Sequence, residues 1–420
     1  MSKYKVSNVF KGDRTLWSIY LLLVVISLIE VFSAGSSLSF KSGNFMNPLF
    51  SQITYILVGL VIIFFLGHSP CRLFRSFWLI GIVAGILGLL TALVLGAEVN
   101  GSARWISIAG FQVQPSEFVK PCIINGVAAL MTTFRSKKSK EARLVIYFLA
   151  IISTVIVLGL IFSENFSTAA LIGITIFVLF AISEVPWSWL AKTLAGGMLM
   201  LVLVFGISKV GLVKIDRLET WSARIERFGN KGLSPIEANR PDLVDLDRDG
   251  QETHAKIAIA TSGIIGKGPG NSVQRDYLSQ AYSDFIFAII IEEFGLLGGG
   301  IVVALYLWMF YSCIRISRRC VTPFPSYLIL GLGTVIVLQA LVNISVATGL
   351  IPITGQNLPL ISRGGSSMLA TSIMFGMMIS VSRYARRQES PKELAKLSEK
   401  EREEALVEAN FASMEPIKAQ

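Results

Sequence analysis

From Leu16 to Ala34, nineteen consecutive residues carry one charge, Glu30, and comparably apolar runs recur along the chain. A helix of about 20 apolar residues crosses some 30 Å of hydrocarbon. Ten spans are expected, at about 16–34, 50–66, 76–96, 116–134, 144–162, 167–182, 188–208, 295–316, 326–346 and 366–382. Lipid offers the backbone no hydrogen-bonding partners, so the expected fold class is an all-α polytopic membrane protein. A long outer loop, at about 209–283, separates spans 7 and 8. A mean hydropathy of +0.62 and a charged fraction of 16% exclude an ordinary soluble domain.

Basic residues orient the spans. In the short connections, fourteen lysines and arginines fall on the side of the N-terminus, against three (Lys41, Arg104 and Arg363) on the other. Both termini are therefore expected in the cytoplasm, with a segment at 1–15 before the transmembrane domain at 16–382 and a charged tail at 383–420 after it. The tail's eight basic and eight acidic residues suit a solvated helix or disorder. The net charge of +10 then reflects topology and contact with membrane lipids, not nucleic acid. A cleaved signal peptide ending near "VFSAG" is the rival reading of the first span, but its apolar stretch is long for that role. Cys71, Cys122, Cys313 and Cys320 show no metal-ligand spacing, and none falls in an outer loop, so no structural disulfide is expected.

The polar motifs cluster in the outer connections. In "AYSDFIFAIIIEEFG" (Ala281–Gly295), Asp284 and Glu292 are eight residues apart, a spacing that lets both line one side of an outer cavity, while Glu293 points elsewhere. Asp284 also stands where a helix cap would, and the residues alone leave cap and functional acid both open. "NGSARWISIAGFQVQPSEFVK" (Asn100–Lys120) places Arg104 and Trp105 in a loop and opens a helix with Glu117 and Lys120, spaced for a plain ion pair. "GLIPITGQNLPLISRGGSS" (Gly349–Ser367) has Arg363 as its only charge, and Pro359 prevents an uninterrupted helix there. "DLDRDG" (Asp245–Gly250) fits the first half of a calcium loop, but Lys256 stands where a bidentate Glu is needed, which favours a surface turn. The ensemble describes a wet outer pocket with cations suited to a diphosphate and a base suited to hydroxyl activation.

At these residues the chain resembles the SEDS family (shape, elongation, division and sporulation), the FtsW and RodA type of peptidoglycan polymerase. The matching stretches are "GSARWI" with "QPSEFVK", "GKGPGNSVQRDYLSQAYSDFIFAIIIEEFG" and "GLIPITGQNLPLISRGGSS", in family order and with family-like spacing. The resemblance implies a glycosyltransferase that polymerises lipid II, the undecaprenyl-diphosphate-linked disaccharide pentapeptide, on the outer face of the cytoplasmic membrane. It puts the family's essential acid on Asp284, as general base, and the diphosphate-gripping cations on Arg104 and Lys120. Lys267 and Arg275 are further candidates for that grip, and Asp276 for an auxiliary role. It also implies a class B penicillin-binding transpeptidase and other divisome membrane proteins as partners, at the division septum.

The departures from the family pattern are specific. Where the family reads close to "QPDLGT", this chain has "SENFSTA" (Ser163–Ala169), which shifts the acid to Glu164. Thr354 stands where FtsW-type chains often have Lys, and Arg363 can restore that charge. His254 replaces a more usual Tyr-Gln and, with an ordinary pKa near 6.5, is a rival base. "NLPLISRGGSS" favours the FtsW type and Thr354 the RodA type, a role in elongation instead of division. A transporter of lipid-linked substrates and a non-catalytic scaffold for a transpeptidase are the competing classes. No cofactor is evident, and a divalent cation neither follows from the sequence nor conflicts with it.

Overall fold

The computed structural model describes residues 12–34, 47–95, 97–98, 103–108, 111–209, 250–278 and 282–389. Ten long helices account for most of them: α1 (Arg14–Ala34), α2 (Asn47–His68), α3 (Cys71–Leu95), α4 (Pro115–Ser136), α5 (Lys140–Glu164), α6 (Phe166–Ile182), α7 (Trp187–Lys209), α9 (Ile286–Ser317), α10 (Pro323–Ala347) and α11 (Gly365–Glu389). Each coincides with one expected span. Eight are long and apolar enough to cross a membrane. The other two are the 17-residue α6 and α4, which carries Glu117, Lys120 and Asn125 among its buried residues. The protein is a multi-pass membrane protein.

Burial sorts the helices into layers. α9, α10 and α11 are mostly buried inside the bundle, whereas α3 and α7 present exposed Leu, Val and Phe side chains along their length, as lipid-facing helices do. Local chemistry sets the ends. Pro115 and Pro323 occupy the first turns of α4 and α10, where a missing N–H costs nothing. Asn165 caps α6 by accepting from the backbone N–H groups of Ser167 and Thr168 at 3.1 and 3.3 Å.

Three features differ from expectation. The stretch around Arg104 is not a loop: β1 (Ala97–Glu98), β2 (Ala103–Ile108) and β3 (Phe111–Val113) form a small antiparallel sheet in the order β1-β2-β3. Residues 250–256, the last seven positions of the calcium-loop pattern, belong to a short helix, α8 (Gly250–Thr261), which a calcium loop would not form. The earlier positions, at 245–249, lie outside the described residues, as do Lys41, the segment at 1–11 and the tail from 390.

Finally, α9 starts nine residues before the expected span. Its first turns, from Ile286 to Glu293, are buried in the bundle. The helix is broken at Gly295 (φ 70°, ψ −173°), and the chain at 263–268 fills the break. Lys267 and Gly268 donate their N–H groups to the carbonyls of Glu292 and Glu293 at 3.0 and 2.8 Å. In return, Leu296 and Leu297 donate to the carbonyls of Gly263 and Ile264, both at 3.2 Å. A Cβ at Gly266 or Gly295 would collide with backbone atoms of the opposite segment, so glycine at both positions makes the docking possible.

Candidate active site

The connection from α10 to α11 runs through the interior of the bundle, with Thr354, Gln356 and Leu358–Ser362 buried. Irregular backbone at that depth survives only if the protein supplies its hydrogen bonds. Polar side chains on α10, α1 and α9 do so, with α2 and α6 in support. Gln339 and Asn343 of α10 donate to the carbonyls of Asn357 and Gln356 at 3.0 and 2.7 Å. Ser27 of α1 donates to Ile361 O at 3.0 Å and itself accepts from Gln52 of α2 at 2.8 Å. Tyr306 of α9 donates to Pro359 O, and Gln356 donates to Thr168 of α6 at 2.8 Å. Leu360 sits in the left-handed region (φ 64°), a strained position for a side-chain-bearing residue that the surrounding bonds hold in place.

Asp284 is fixed against this loop. Ser362 donates to the carbonyl of Ser283 at 2.6 Å, and the N–H of Arg363 donates to Tyr282 O at 2.9 Å. Asn343 donates to Asp284 O at 2.9 Å. The carboxylate faces Gly355: a Cβ built there would lie 3.8 Å from Asp284 Oδ2. The N-cap position of α9 is Phe285, without a side-chain cap bond, so Asp284 lies one residue too early to cap the helix. Its side chain is half-buried. Arg363 lies over the Tyr282 ring at 5.6 Å, which keeps a cation beside the same segment.

Lys120 reaches the same loop through α10. It is fully buried, pairs with Glu117 at 2.7 Å and donates to Gln339 Oε1 at 3.0 Å. Gln339 and Asn343 are one helical turn apart on one face of α10. One amide therefore holds the Lys120–Glu117 pair, and the next holds the backbone of Asp284. Just before α4, Gln114 N–H donates to Ser366 Oγ at 3.0 Å, which ties the end of the β-sheet to the start of α11. Arg104 lies on β2, in the strand that pairs with both neighbours; its side chain, like that of Glu164 at the end of α5, lies outside the described residues.

The remaining candidates gather in a second cluster, on the segment at 262–278. Glu292 is its hub: buried, it accepts from Lys267 Nζ at 2.6 Å, from Ser272 Oγ, and from the N–H groups of Val273 and Gln274 at 3.2 and 3.3 Å. Glu292 thus anchors this segment and does not line a cavity with Asp284. Arg275 donates to Gly270 O at 2.8 Å and to Ser33 at 3.3 Å, with the exposed Asp276 carboxylate 3.6 Å from its Nε. Ser33 also donates to the buried Glu293, so that acid has a hydroxyl partner instead of a basic one. His254 of α8 hydrogen-bonds Gln274 through Nδ1 at 2.7 Å and stacks on Tyr277 with ring centroids 5.1 Å apart.

Gln339, Asn343, Gln356, Thr168 and Ser362 went unnoticed in the sequence. A signal existed for the first two: amides four residues apart in an apolar span share a face, and polar groups in such spans mark sites.

The family model described as "Cell cycle protein", for FtsW, RodA and SpoVE, matches residues 13–387. The "Probable peptidoglycan glycosyltransferase FtsW" of Synechocystis sp. is 33% identical over 379 residues, covering 88% of this chain and 89% of that one. Among solved structures, a chain from a study of polymerization and crosslinking by a peptidoglycan synthase complex superposes with a TM-score of 0.68 at 23% identity, covering 89% of this chain and 98% of that one. The rod shape determining protein RodA of Thermus thermophilus gives 0.62 at 21% identity, covering 91% and 99%. These last two establish the shared fold. With nearly the whole length matched, the chain belongs to the FtsW/RodA/SpoVE family of cell cycle proteins.

Proposed function

We propose that this protein is a peptidoglycan glycosyltransferase that polymerises lipid II at the outer face of the cytoplasmic membrane. The observation that carries the reading is the placement of Asp284, a half-buried acid held by Asn343 and facing Gly355, in a family whose named relatives are peptidoglycan glycosyltransferases. Asp284 takes the proton from the 4-hydroxyl of an acceptor GlcNAc as that oxygen bonds to C1 of the donor MurNAc. The C1–O bond to undecaprenyl diphosphate breaks, the diphosphate leaves as the anion, and the anomeric centre inverts from α to β. Lys120, Arg363 and Arg104 offset the charge that develops on the diphosphate, and Lys267 and Arg275 are secondary candidates for that task. Lys120 is fully buried and paired with Glu117, which cancels most of its long-range field, so in this role the diphosphate competes with Glu117 for the ammonium.

The termini are cytoplasmic on this reading, which follows the distribution of basic residues. The FtsW names among the relatives favour a septal role in division over elongation, with a class B penicillin-binding transpeptidase as partner. The test uses the purified full chain with lipid II and no other enzyme. Strand synthesis by wild type, abolished by Asp284→Ala with folding and partner binding intact, supports the reading. Translocation of lipid II across vesicles without glycan strands would replace it with transport.

A further inference from the structure

The end of the bundle opposite Asp284 holds a second charged site. A cavity of about 220 Å³ opens there, lined by Asp13, Arg14, Arg315, Arg319, Ser382 and Arg386 among others. It lies where the start of α1, the end of α9 and the last turns of α11 meet. Among the described residues, four guanidinium groups and one carboxylate line it.

That carboxylate is already committed as a brace. Asp13 accepts from Arg315 Nη2 and from the N–H of Thr15, both at 2.8 Å, and its own N–H donates to Ser382 Oγ at 2.9 Å. Arg386 braces the same turn by donating to Gly12 O at 3.0 Å. Arg315 Nε is buried with no acceptor among the described residues. A lining so rich in guanidinium, with the Arg315 Nε unsatisfied, suits an anion, and guanidinium groups favour phosphate oxygens because their forked donors match them.

The source of that phosphate follows from the surroundings. α1, α9 and α11 are all long and apolar enough to span, so their ends lie at the headgroup level. On α9, Tyr311 is one turn before Arg315 on the same face, and it is exposed, as is Trp308. Exposed Tyr and Trp are the side chains that settle at a membrane interface. We propose that this cavity binds the phosphate of an anionic phospholipid, with the acyl chains lying along Tyr311 and Trp308.

The test is retention of phosphatidylglycerol by the purified full chain, measured by native mass spectrometry and by titration of phosphatidylglycerol into phosphatidylcholine nanodiscs. Arg14→Gln with Arg319→Gln removes two charges without touching the Asp13–Arg315 brace. Affinity for phosphatidylglycerol should fall about thirtyfold, about fivefold per cation near an anionic surface. Arg14→Lys with Arg319→Lys should keep most of it, which separates lost charge from lost fold. Equal retention by wild type and the glutamine variant would overturn the proposal. Saturable binding of inorganic phosphate that the glutamine variant loses, with lipid retention unchanged, would also overturn it, since the ligand would then be a soluble anion. Lipid retention is read without lipid II, so this outcome is independent of the polymerase assay.

Discussion

Replacing Lys120 with Met gives the sharpest view of how the interior is wired. Lys120 has no exposed surface, and the side chain of its partner Glu117 is 10% exposed. Removing the ammonium leaves Glu117 as an uncompensated buried carboxylate and takes the donor from Gln339 Oε1. Breaking one side of a buried pair costs about 3–5 kcal/mol, whereas replacing both sides with neutral groups of similar volume is often close to neutral. Lys120→Met should therefore lose about 3–5 kcal/mol, and Glu117→Gln with Lys120→Met should recover most of it. Denaturant unfolding of the purified protein in detergent supplies the double-mutant cycle. A coupling energy below about 0.5 kcal/mol, the range of independent sites, would refute the buried-pair argument. Strand synthesis then separates structure from chemistry. If Lys120 also steadies a departing diphosphate, the double variant is stable but slow; recovery of full activity with stability would leave Lys120 a purely structural role.

Asn343→Ala removes the donor to Asp284 O and Gln356 O and should cost about 1–3 kcal/mol for each buried carbonyl left unpaired. Its strand synthesis should fall further than thermal stability accounts for; unchanged activity would remove Asn343 from the positioning of Asp284. Glu292→Ala takes the acceptor from Lys267, Ser272 and two backbone N–H groups, and limited proteolysis should then cut within 262–278 at rates that leave wild type intact. Gly295→Ala forces a side chain into backbone at a positive φ and should abolish folded yield in detergent, as judged by gel filtration. His254→Ala should leave the pH profile of strand synthesis unchanged, because its imidazole is engaged with Gln274 and Tyr277; loss of the acidic limb would promote it to base in place of Asp284.

The apolar runs made the ten helices readable, because burial in lipid imposes length and composition on each one separately. The eighth was placed nine residues late for a physical reason. Glu292 looks too polar for a span until the segment at 262–278, 14 or more residues away in sequence, arrives to satisfy it, and Glu293 until Ser33 of α1 does. The strand "ARWISI" was legible by its aromatic and β-branched residues, Trp105, Ile106 and Ile108, and by Ala-Gly just before "FQV", yet the surrounding loop signals concealed it. Asp284 and Arg363 came from motifs, and the structure brings their backbones together through Tyr282 and Ser362. Glu292 was assigned to the wrong neighbourhood, since eight residues of helical geometry fix a direction but not what fills the space there.

The break at Gly295 leaves four peptide groups that only the chain at 263–268 satisfies. Were that segment lifted away, those groups would face hydrocarbon with nothing to bond, at several kcal/mol each. Anything that seizes the segment from outside therefore grips α9 as well, and a displacement there travels to the turn bearing Asp284 as through a hinged rod.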